Sequence, residues 1–226
     1  MRPAGSTLAL AAALALAAPS RAGETITYGY DELGRLTRVS NARTAGTATE
    51  SAYSYDSADN RLTMTRAAAS LPTVAGGGFE APDLPAGGYA YTPAGGPATF
   101  AGQTGIAANN SAWSFASAPE GDQVAFLQNG TAKPSIKLQV TGLVPGLSYQ
   151  ASFRIAGRTG YLGMPVTVKF ADSPIGTFTP TSYGFVAATT AAFTAAASSG
   201  TLEFEGILTG DNRVSGIDLV TVGAAN

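Results

Sequence analysis

Residues Glu120 to Arg158 read EGDQVAFLQNGTAKPSIKLQVTGLVPGLSYQASFRIAGR. From Ser135 to Thr141 the apolar Ile136, Leu138 and Val140 alternate with Lys137 and Gln139, the period of two of a strand with one buried face. Beyond the turn signal Pro145-Gly146, the residues Leu147, Tyr149, Ala151, Phe153 and Ile155 repeat the alternation against Ser148, Gln150, Ser152 and Arg154. These two runs are expected to pair as antiparallel neighbours. Upstream, Gln123 to Gln128 (QVAFLQ) is a third apolar run, closed by Asn129-Gly130, a dipeptide that tolerates the positive φ of a tight turn. Three strands in so short a stretch predict an all-β sandwich.

The pattern extends outward from this stretch. Val166, Val168 and Phe170 alternate with Thr167 and Lys169, Leu202 and Phe204 with Glu203 and Glu205, and Ile217, Leu219 and Val220 lead a closing strand. Eight or nine strands are expected over residues 78–222, with 223–226 as a tail. The Gly-Pro-Asn content of Pro82 to Gly105 suits long loops over one end, and no stretch carries a helical period. Ahead of the sandwich, Ala67 to Gly77 (AAASLPTVAGG) is small, Pro-containing and Gly-ended, and is expected to be a linker.

Residues 23–66 contain an internal repeat. Tyr28-Gly29-Tyr30-Asp31, followed by Gly34-Arg35-Leu36-Thr37, returns as Tyr53-Ser54-Tyr55-Asp56, followed by Asp59-Asn60-Arg61-Leu62-Thr63. Each copy reads as a hairpin: an aromatic strand, a turn at Asp and Gly, then a strand carrying Arg and Leu. Asp59 stands where the first copy has Gly34, a change that the tolerance of Asp for positive φ makes mild. Two repeat units are too few to bury a continuous core of their own. The segment is therefore a small sheet docked on the sandwich, an exposed arm, or a remnant without a present role.

The first residues carry an address. Met1-Arg2 is a short positive region, Leu8 to Ala18 an apolar core, and Ser20-Arg21-Ala22 ends in a small residue, which predicts a signal peptide over 1–22, cleaved after Ala22. Its apolar core is short for a membrane span, which makes a retained anchor the weaker alternative, and no second stretch of membrane length follows, so the mature chain is expected to be exported without a span. The destination is periplasmic, cell-surface or extracellular. The 226 residues include no cysteine, so an oxidising compartment adds no disulfide. A net charge of −2, from 13 basic and 15 acidic residues, offers no basic face to nucleic acid. With no histidine and no cysteine, Ser-His-Asp triads, thiol nucleophiles, imidazole bases and the usual zinc sites are excluded. Carboxylates alone serve glycosidases, and Glu203 and Glu205 share a strand face, but the same pair is the ordinary solvent side of an alternating strand. No catalytic residue is assigned.

Several ordered motifs resemble a known family. Phe79-Glu80, Gly88 to Tyr91 (GYAY), Gly105 to Asn109 (GIAAN), Glu120 to Asn129 (EGDQVAFLQN), Ala156 to Arg158 (AGR), Gly176 to Pro180 (GTFTP) and Ile217 to Val220 (IDLV) are similar to galactose-binding-like jelly-roll domains of the DUF642 type, relatives of carbohydrate-binding modules. The two hairpin copies resemble the YD repeats of the Rhs family. The resemblance implies a jelly-roll β-sandwich and, less specifically, a carbohydrate ligand. It also implies a structural calcium, with Glu80 and Asp218 at the positions of the F-E and I-D motifs and loop carbonyls completing the shell. The alternative is that each of these carboxylates accepts backbone hydrogen bonds at a strand end.

A sugar site needs aromatic faces for the C–H faces of a pyranose, beside planar polar groups for its hydroxyls. Tyr89, Tyr91, Trp113, Gln128, Asn129, Arg158 and Tyr161 are the candidates. Trp113, the sole tryptophan, lies in a Gly/Asn/Ser-rich region, and is either an exposed stacking platform or a core plug. Gln128, Asn129 and Arg158 stand at strand ends, where the loops of a sandwich gather a site. Family members carry a Trp before T-F, but Ala98 precedes Thr99-Phe100 here. The reading is thus an exported, non-catalytic carbohydrate-binding protein. The alternative is an adhesion or structural surface protein whose hairpin edges take a protein partner by strand addition.

Overall fold

The computed structural model describes residues 24–43, 48–69, 71–161, 163–208 and 211–225; the expected signal peptide lies outside them. Among these residues no helix forms, and none long and apolar enough to cross a membrane is present.

Both repeat copies fold as hairpins. Strands β1 (Glu24–Tyr30), β2 (Leu36–Arg43), β3 (Ala48–Tyr55) and β4 (Arg61–Ala69) form one antiparallel sheet in the order β1-β2-β3-β4. Each turn is nucleated by its Asp. The Asp31 carboxylate accepts the N–H groups of Leu33 and Arg35 at 3.0 and 2.9 Å, and Asp56 accepts those of Ala58 and Asn60, both at 2.9 Å. Gly34 takes φ 77° at the turn, and Asp59 takes φ 66° in its place. The sheet meets the rest of the chain at Arg38. Arg38 pairs with Glu50 at 2.5 Å and donates to the carbonyl of Pro145 in the following domain, and Ser40 beside it is buried.

The second domain contains β5 (Thr73–Val74), β6 (Tyr89–Tyr91), β7 (Thr99–Ala101), β8 (Thr104–Ala108), β9 (Gln123–Gln128), β10 (Ser135–Thr141), β11 (Ser148–Gly157), β12 (Val166–Phe170), β13 (Ser173–Phe178), β14 (Val186–Thr189), β15 (Phe193–Thr194), β16 (Ser199–Glu205) and β17 (Val214–Ala224). One sheet runs β13-β12-β16-β10-β5, with β7 also on β10. The other runs β14-β11-β17-β9-β8-β6, with β15 also on β11. The chain crosses repeatedly between them, as a jelly-roll sandwich must: β9 to β10, β10 to β11, β11 to β12, β13 to β14, β15 to β16 and β16 to β17 all change sheet.

The expected pairing of the two central runs is corrected here. β10 pairs with β16, β5 and β7, while β11 pairs with β17, β14 and β15, so the two lie in opposite sheets. Alternation shows which face of a strand is buried, not which strand lies beside it. The apolar faces of β10 and β11 meet across the sandwich instead. Ile136, Leu138, Val140, Val168, Leu202 and Phe204 pack against Ala151, Phe153, Ile155, Leu127 and Ile217 in one core. Phe153 meets Phe204 edge-on, ring centres 5.1 Å apart.

The expected linker is also largely consumed. β4 runs to Ala69, and Thr73 and Val74 pair with Thr141 and Val140 as an edge of the sandwich. Small residues and one Pro at the edge of a sheet are compatible with a short strand, which a composition of Ala, Gly and Pro does not announce.

Candidate functional site

β8 and β9 are buried on both faces, unlike β10, whose outward residues are exposed. Their inward side chains, such as Ala125 and Leu127, join the main core. Their outward ones, Ala107, Val124 and Phe126, join a second, aromatic cluster with Trp113 and Val214, flanked by Phe115 and Phe185. The cover comes from the segment between β8 and β9, which folds Trp113 and Phe115 down onto the sheet. Trp113 stacks on Phe126 at 3.9 Å and 24°, and lies nearly parallel to Phe115 at 6.2 Å.

Two glycines make room for these rings. A Cβ at Gly105 would come within 2.7 Å of the Phe126 ring and 2.0 Å of the Ala90 carbonyl oxygen. A Cβ at Gly216, the cross-strand partner of Phe126, would come within 2.8 Å of the Phe115 ring. Both glycines serve close approach on a sheet surface.

On this base sits an exposed rim. Tyr89 is 50% and Tyr91 45% exposed, while Trp113 is only 4% exposed. The two tyrosine rings stand at 83° with centres 6.3 Å apart, and each contacts Trp113 edge-on, at 6.2 and 5.8 Å. Tyr91 also stands edge-on to Phe126 at 5.2 Å. Its hydroxyl donates to Gln128 Oε1 at 2.6 Å, and Gln128 Nε2 donates to Asn212 Oδ1 at 2.9 Å. Partial burial raises the pKa of the Tyr91 phenol, which keeps that hydroxyl a donor. On the other flank the Arg158 guanidinium lies 4.6 Å from the Trp113 ring centre and 4.2 Å from that of Tyr161.

Six of the seven predicted ligand residues therefore meet on one surface: Tyr89, Tyr91, Trp113, Gln128, Arg158 and Tyr161. Trp113 takes the plug alternative, backing the tyrosines from beneath. Asn129 stands apart, 3% exposed, donating its N–H to the Arg213 carbonyl and its amide to Asp211 at 2.6 Å. It orders the segment that presents Asn212. Asn212 itself was not identified from sequence; no periodicity marks it, and the fold brings it to Gln128 across 84 residues. The aromatic base had a signal in QVAFLQ, whose unbroken apolar run is that of a strand covered on both faces.

A second cluster is acidic. Glu80 accepts the N–H groups of Asp122 at 3.2 Å and Gln123 at 3.0 Å. Asp218, fully buried, accepts those of Glu120 at 3.1 Å and Leu219 at 2.7 Å. Each carboxylate thus performs the backbone-acceptor role that was the alternative to metal binding. A bulge in β17 opposite β11 follows Asp218, with Leu219 at φ 51°, and Phe79 beside Glu80 is also left-handed at φ 56°. Burial pushes the Asp218 carboxyl up to about 7, and the charges of Glu120 and Glu80 push in the same direction. The donor chemistry, all hard oxygen and net negative, suits calcium. Among the described residues no three His, Cys, Asp or Glu side chains are grouped to hold an ion by themselves.

Glu203 and Glu205 lie on the other sheet among lysines. Glu205 pairs with Lys133 at 2.7 Å and Lys169 at 2.9 Å, and Lys137 stands 3.7 Å from Glu203. Hydrogen bonds from the two lysines hold the Glu205 carboxyl below its usual range, the opposite of what a general acid needs.

No family model matches the chain, and no curated protein matches it. Solved structures with a similar chain path include a family-61 carbohydrate-binding module in complex with β-1,4-galactotriose, with 13% identity and a TM-score of 0.46 over 66% of this chain and 96% of that one. Another is the K1 cleaved adhesin domain of Lys-gingipain from Porphyromonas gingivalis, with 11% identity and a TM-score of 0.45 over 59% and 93%. A third is the CBM22-1 xylan-binding domain from Paenibacillus barcinonensis, with 13% identity and a TM-score of 0.43 over 62% and 97%. At such identities nothing passes from those proteins to individual residues of this chain.

Proposed function

We propose that this chain is an exported, non-catalytic carbohydrate-binding protein that takes a polysaccharide on the Tyr89/Tyr91 rim. The observation that carries this reading is the pair of half-exposed tyrosine rings held rigidly over a buried aromatic base, with planar polar groups on both flanks. An exposed, preorganised ring offers a sugar face its C–H contact at little entropic cost, since the edge contacts to Trp113 and Phe126 already fix the ring. Gln128 and Asn212 on one side and Arg158 on the other supply amide and guanidinium groups, the planar polar chemistry that pairs with sugar hydroxyls. The one carboxylate pair that the sequence offers for glycoside hydrolysis, Glu203 and Glu205, lies on the other sheet with lysines beside it, away from this rim.

The same proposal assigns Glu80 and Asp218 to a calcium ion, with backbone carbonyls completing its shell. Support comes from a buried carboxyl crowded by two other acids and from the left-handed backbone at Phe79 and Leu219. Bound calcium would supply charge compensation there, and Glu80 and Asp218 would continue to orient the loop at Glu120 to Gln123.

The test is binding of the purified protein to a panel of soluble and insoluble polysaccharides in the presence of calcium, read by affinity electrophoresis, pull-down and Trp113 fluorescence. A selective hit weakened at least tenfold by Tyr89→Ala and by Tyr91→Ala supports the site. A folded protein that binds nothing on a broad panel, or binds equally well as the Tyr89→Ala/Tyr91→Ala double variant, refutes it.

A further inference from the structure

The joint between the two hairpins is the pairing of β2 with β3, in the register Arg38↔Ala52, Val39↔Ser51, Ser40↔Glu50, Asn41↔Thr49. Because the hairpins are copies, each half of that joint recurs at an outer edge. β1 is the counterpart of β3, carrying Tyr28 and Tyr30 where β3 carries Tyr53 and Tyr55. β4 is the counterpart of β2: Val39 pairs back to Tyr28 as Met64 pairs back to Tyr53, and a register shift follows each turn at the same place. Among the described residues, β1 and β4 have no further strand alongside. The sheet therefore presents at β4 the surface that β2 offers to β3, and at β1 the surface that β3 offers to β2.

The apolar exposure of this sheet is concentrated at those two edges. Ile26, Tyr28 and Tyr30 on β1 are 46%, 55% and 61% exposed, and Leu62 and Met64 on β4 are 63% and 53% exposed. Val39, Tyr53 and Tyr55 in the interior strands are half-buried. Unpaired apolar edges of this kind are templates for strand addition.

We propose that a second copy of this chain docks head to tail, with its β1 adding antiparallel to β4 in the register that β2 and β3 already use. Transferred to the outer edges, Val39↔Ser51 becomes Met64 opposite Ile26, and Arg38↔Ala52 becomes Thr63 opposite Thr27. At the internal joint the Tyr55 hydroxyl donates to the Leu36 carbonyl at 2.8 Å, and the Arg35 guanidinium lies 5.0 Å from the Tyr55 ring. Leu36 pairs with Tyr30 as Arg61 pairs with Tyr55. The corresponding contact is therefore from the incoming Tyr30 hydroxyl to the Arg61 carbonyl. One feature does not recur. Arg35 also reaches Asp59 at 2.7 Å, whereas Asn60 occupies its place in the second turn and bonds Asp56 at 3.0 Å. The intermolecular joint is thus weaker than the internal one and depends on concentration. Since the two edges differ, the contact is heterologous and propagates into a row of copies instead of closing as a two-fold dimer. The inference is independent of the sugar site.

The absence of native cysteine makes the register testable on the whole protein. Directly opposed antiparallel residues lie about 4.5–5.5 Å apart at Cα, within disulfide range. Mild oxidation of an equimolar mixture of Ile26→Cys and Met64→Cys proteins is expected to give a mixed dimer, while the double variant gives a ladder of dimers, trimers and longer species. Met64→Lys, which charges the edge without touching the sandwich, is expected to abolish concentration-dependent sedimentation and leave the melting temperature in place. Three results overturn the proposal: efficient cross-linking of Ile26→Cys alone, which indicates a two-fold β1 to β1 pairing; a purely monomeric unmodified protein up to millimolar concentration; or undiminished association in Met64→Lys.

Discussion

Arg158 clamps Trp113 twice: its guanidinium lies over the indole at 4.6 Å, while its Nε and Nη2 donate to the carbonyls of Trp113 and Ala112, both at 3.0 Å. Arg158, one of the seven candidate ligand residues, is thus also the fastener of the segment that covers β8 and β9. Arg158→Ala leaves two carbonyls to solvent and removes the cation from the ring, so a loss of about 1–3 kcal/mol is expected in denaturant titrations. As Trp113 is the sole tryptophan, its emission should shift to the red in this variant. Arg158→Lys keeps the charge but cannot reproduce the paired donors, and should fall between.

The pH dependence of stability should run against the acid-labile habit of most proteins. Asp218 titrates near 7 when folded, far above the 3.8 of a free side chain. Between those values the folded state binds more protons than the unfolded one, so stability falls as pH rises toward 7. At full effect the contribution is on the order of 4 kcal/mol. Thermal melts in a chelator should therefore show a higher melting temperature at pH 5 than at pH 8. Calcium, if it takes the place of the proton, should raise the value at pH 8 and flatten the slope; no response to calcium or to chelation at any pH would remove the metal assignment.

The two glycines beneath the aromatic cluster should differ in cost. At Gly105 the new methyl meets a backbone carbonyl of β6 as well as the Phe126 ring, whereas at Gly216 it meets only the Phe115 ring, on a loop able to give. Gly105→Ala is expected to destabilise by about 1–3 kcal/mol and to displace Tyr91, weakening glycan binding. Gly216→Ala should cost less and leave the Tyr89/Tyr91 rim intact. Denaturant midpoints alongside binding isotherms for the two variants separate these outcomes.

The hairpin sheet is held to the sandwich partly through Arg38, which joins Glu50 to the Pro145 carbonyl. In Arg38→Ala the Glu50 carboxylate loses its partner at the junction. Hydrogen exchange over β1 to β4 should accelerate markedly, while protection of β9, β11 and β17 stays unchanged. Equal acceleration in both domains would mean that they unfold as one unit.

Sequence by itself determined that this is an all-β protein, and it did so through local rules. Ile136, Leu138 and Val140 mark a half-buried strand, and Asp31-Gly34 and Asp56-Asp59 mark turns, because side-chain alternation and turn dihedrals depend on a few consecutive residues. It also brought forward most of the candidate site, since aromatic and planar polar residues at strand ends are legible one at a time. Tertiary structure alone decided the rest. Whether β10 pairs with β11 or faces it across the core depends on which strands fill the neighbouring hydrogen-bonding positions, and those arrive from Ser199 to Glu205 and Val214 to Ala224, far along the chain. Whether Trp113 offers its face or hides it depends on Phe126 beneath and Arg158 above. The burial that raises Asp218, and the charges of Glu120 and Glu80 that add to it, come from parts of the chain that no local pattern places beside it. Burial, strand neighbours and electrostatic crowding are properties of what the folded chain brings together, so they became readable only once it was folded.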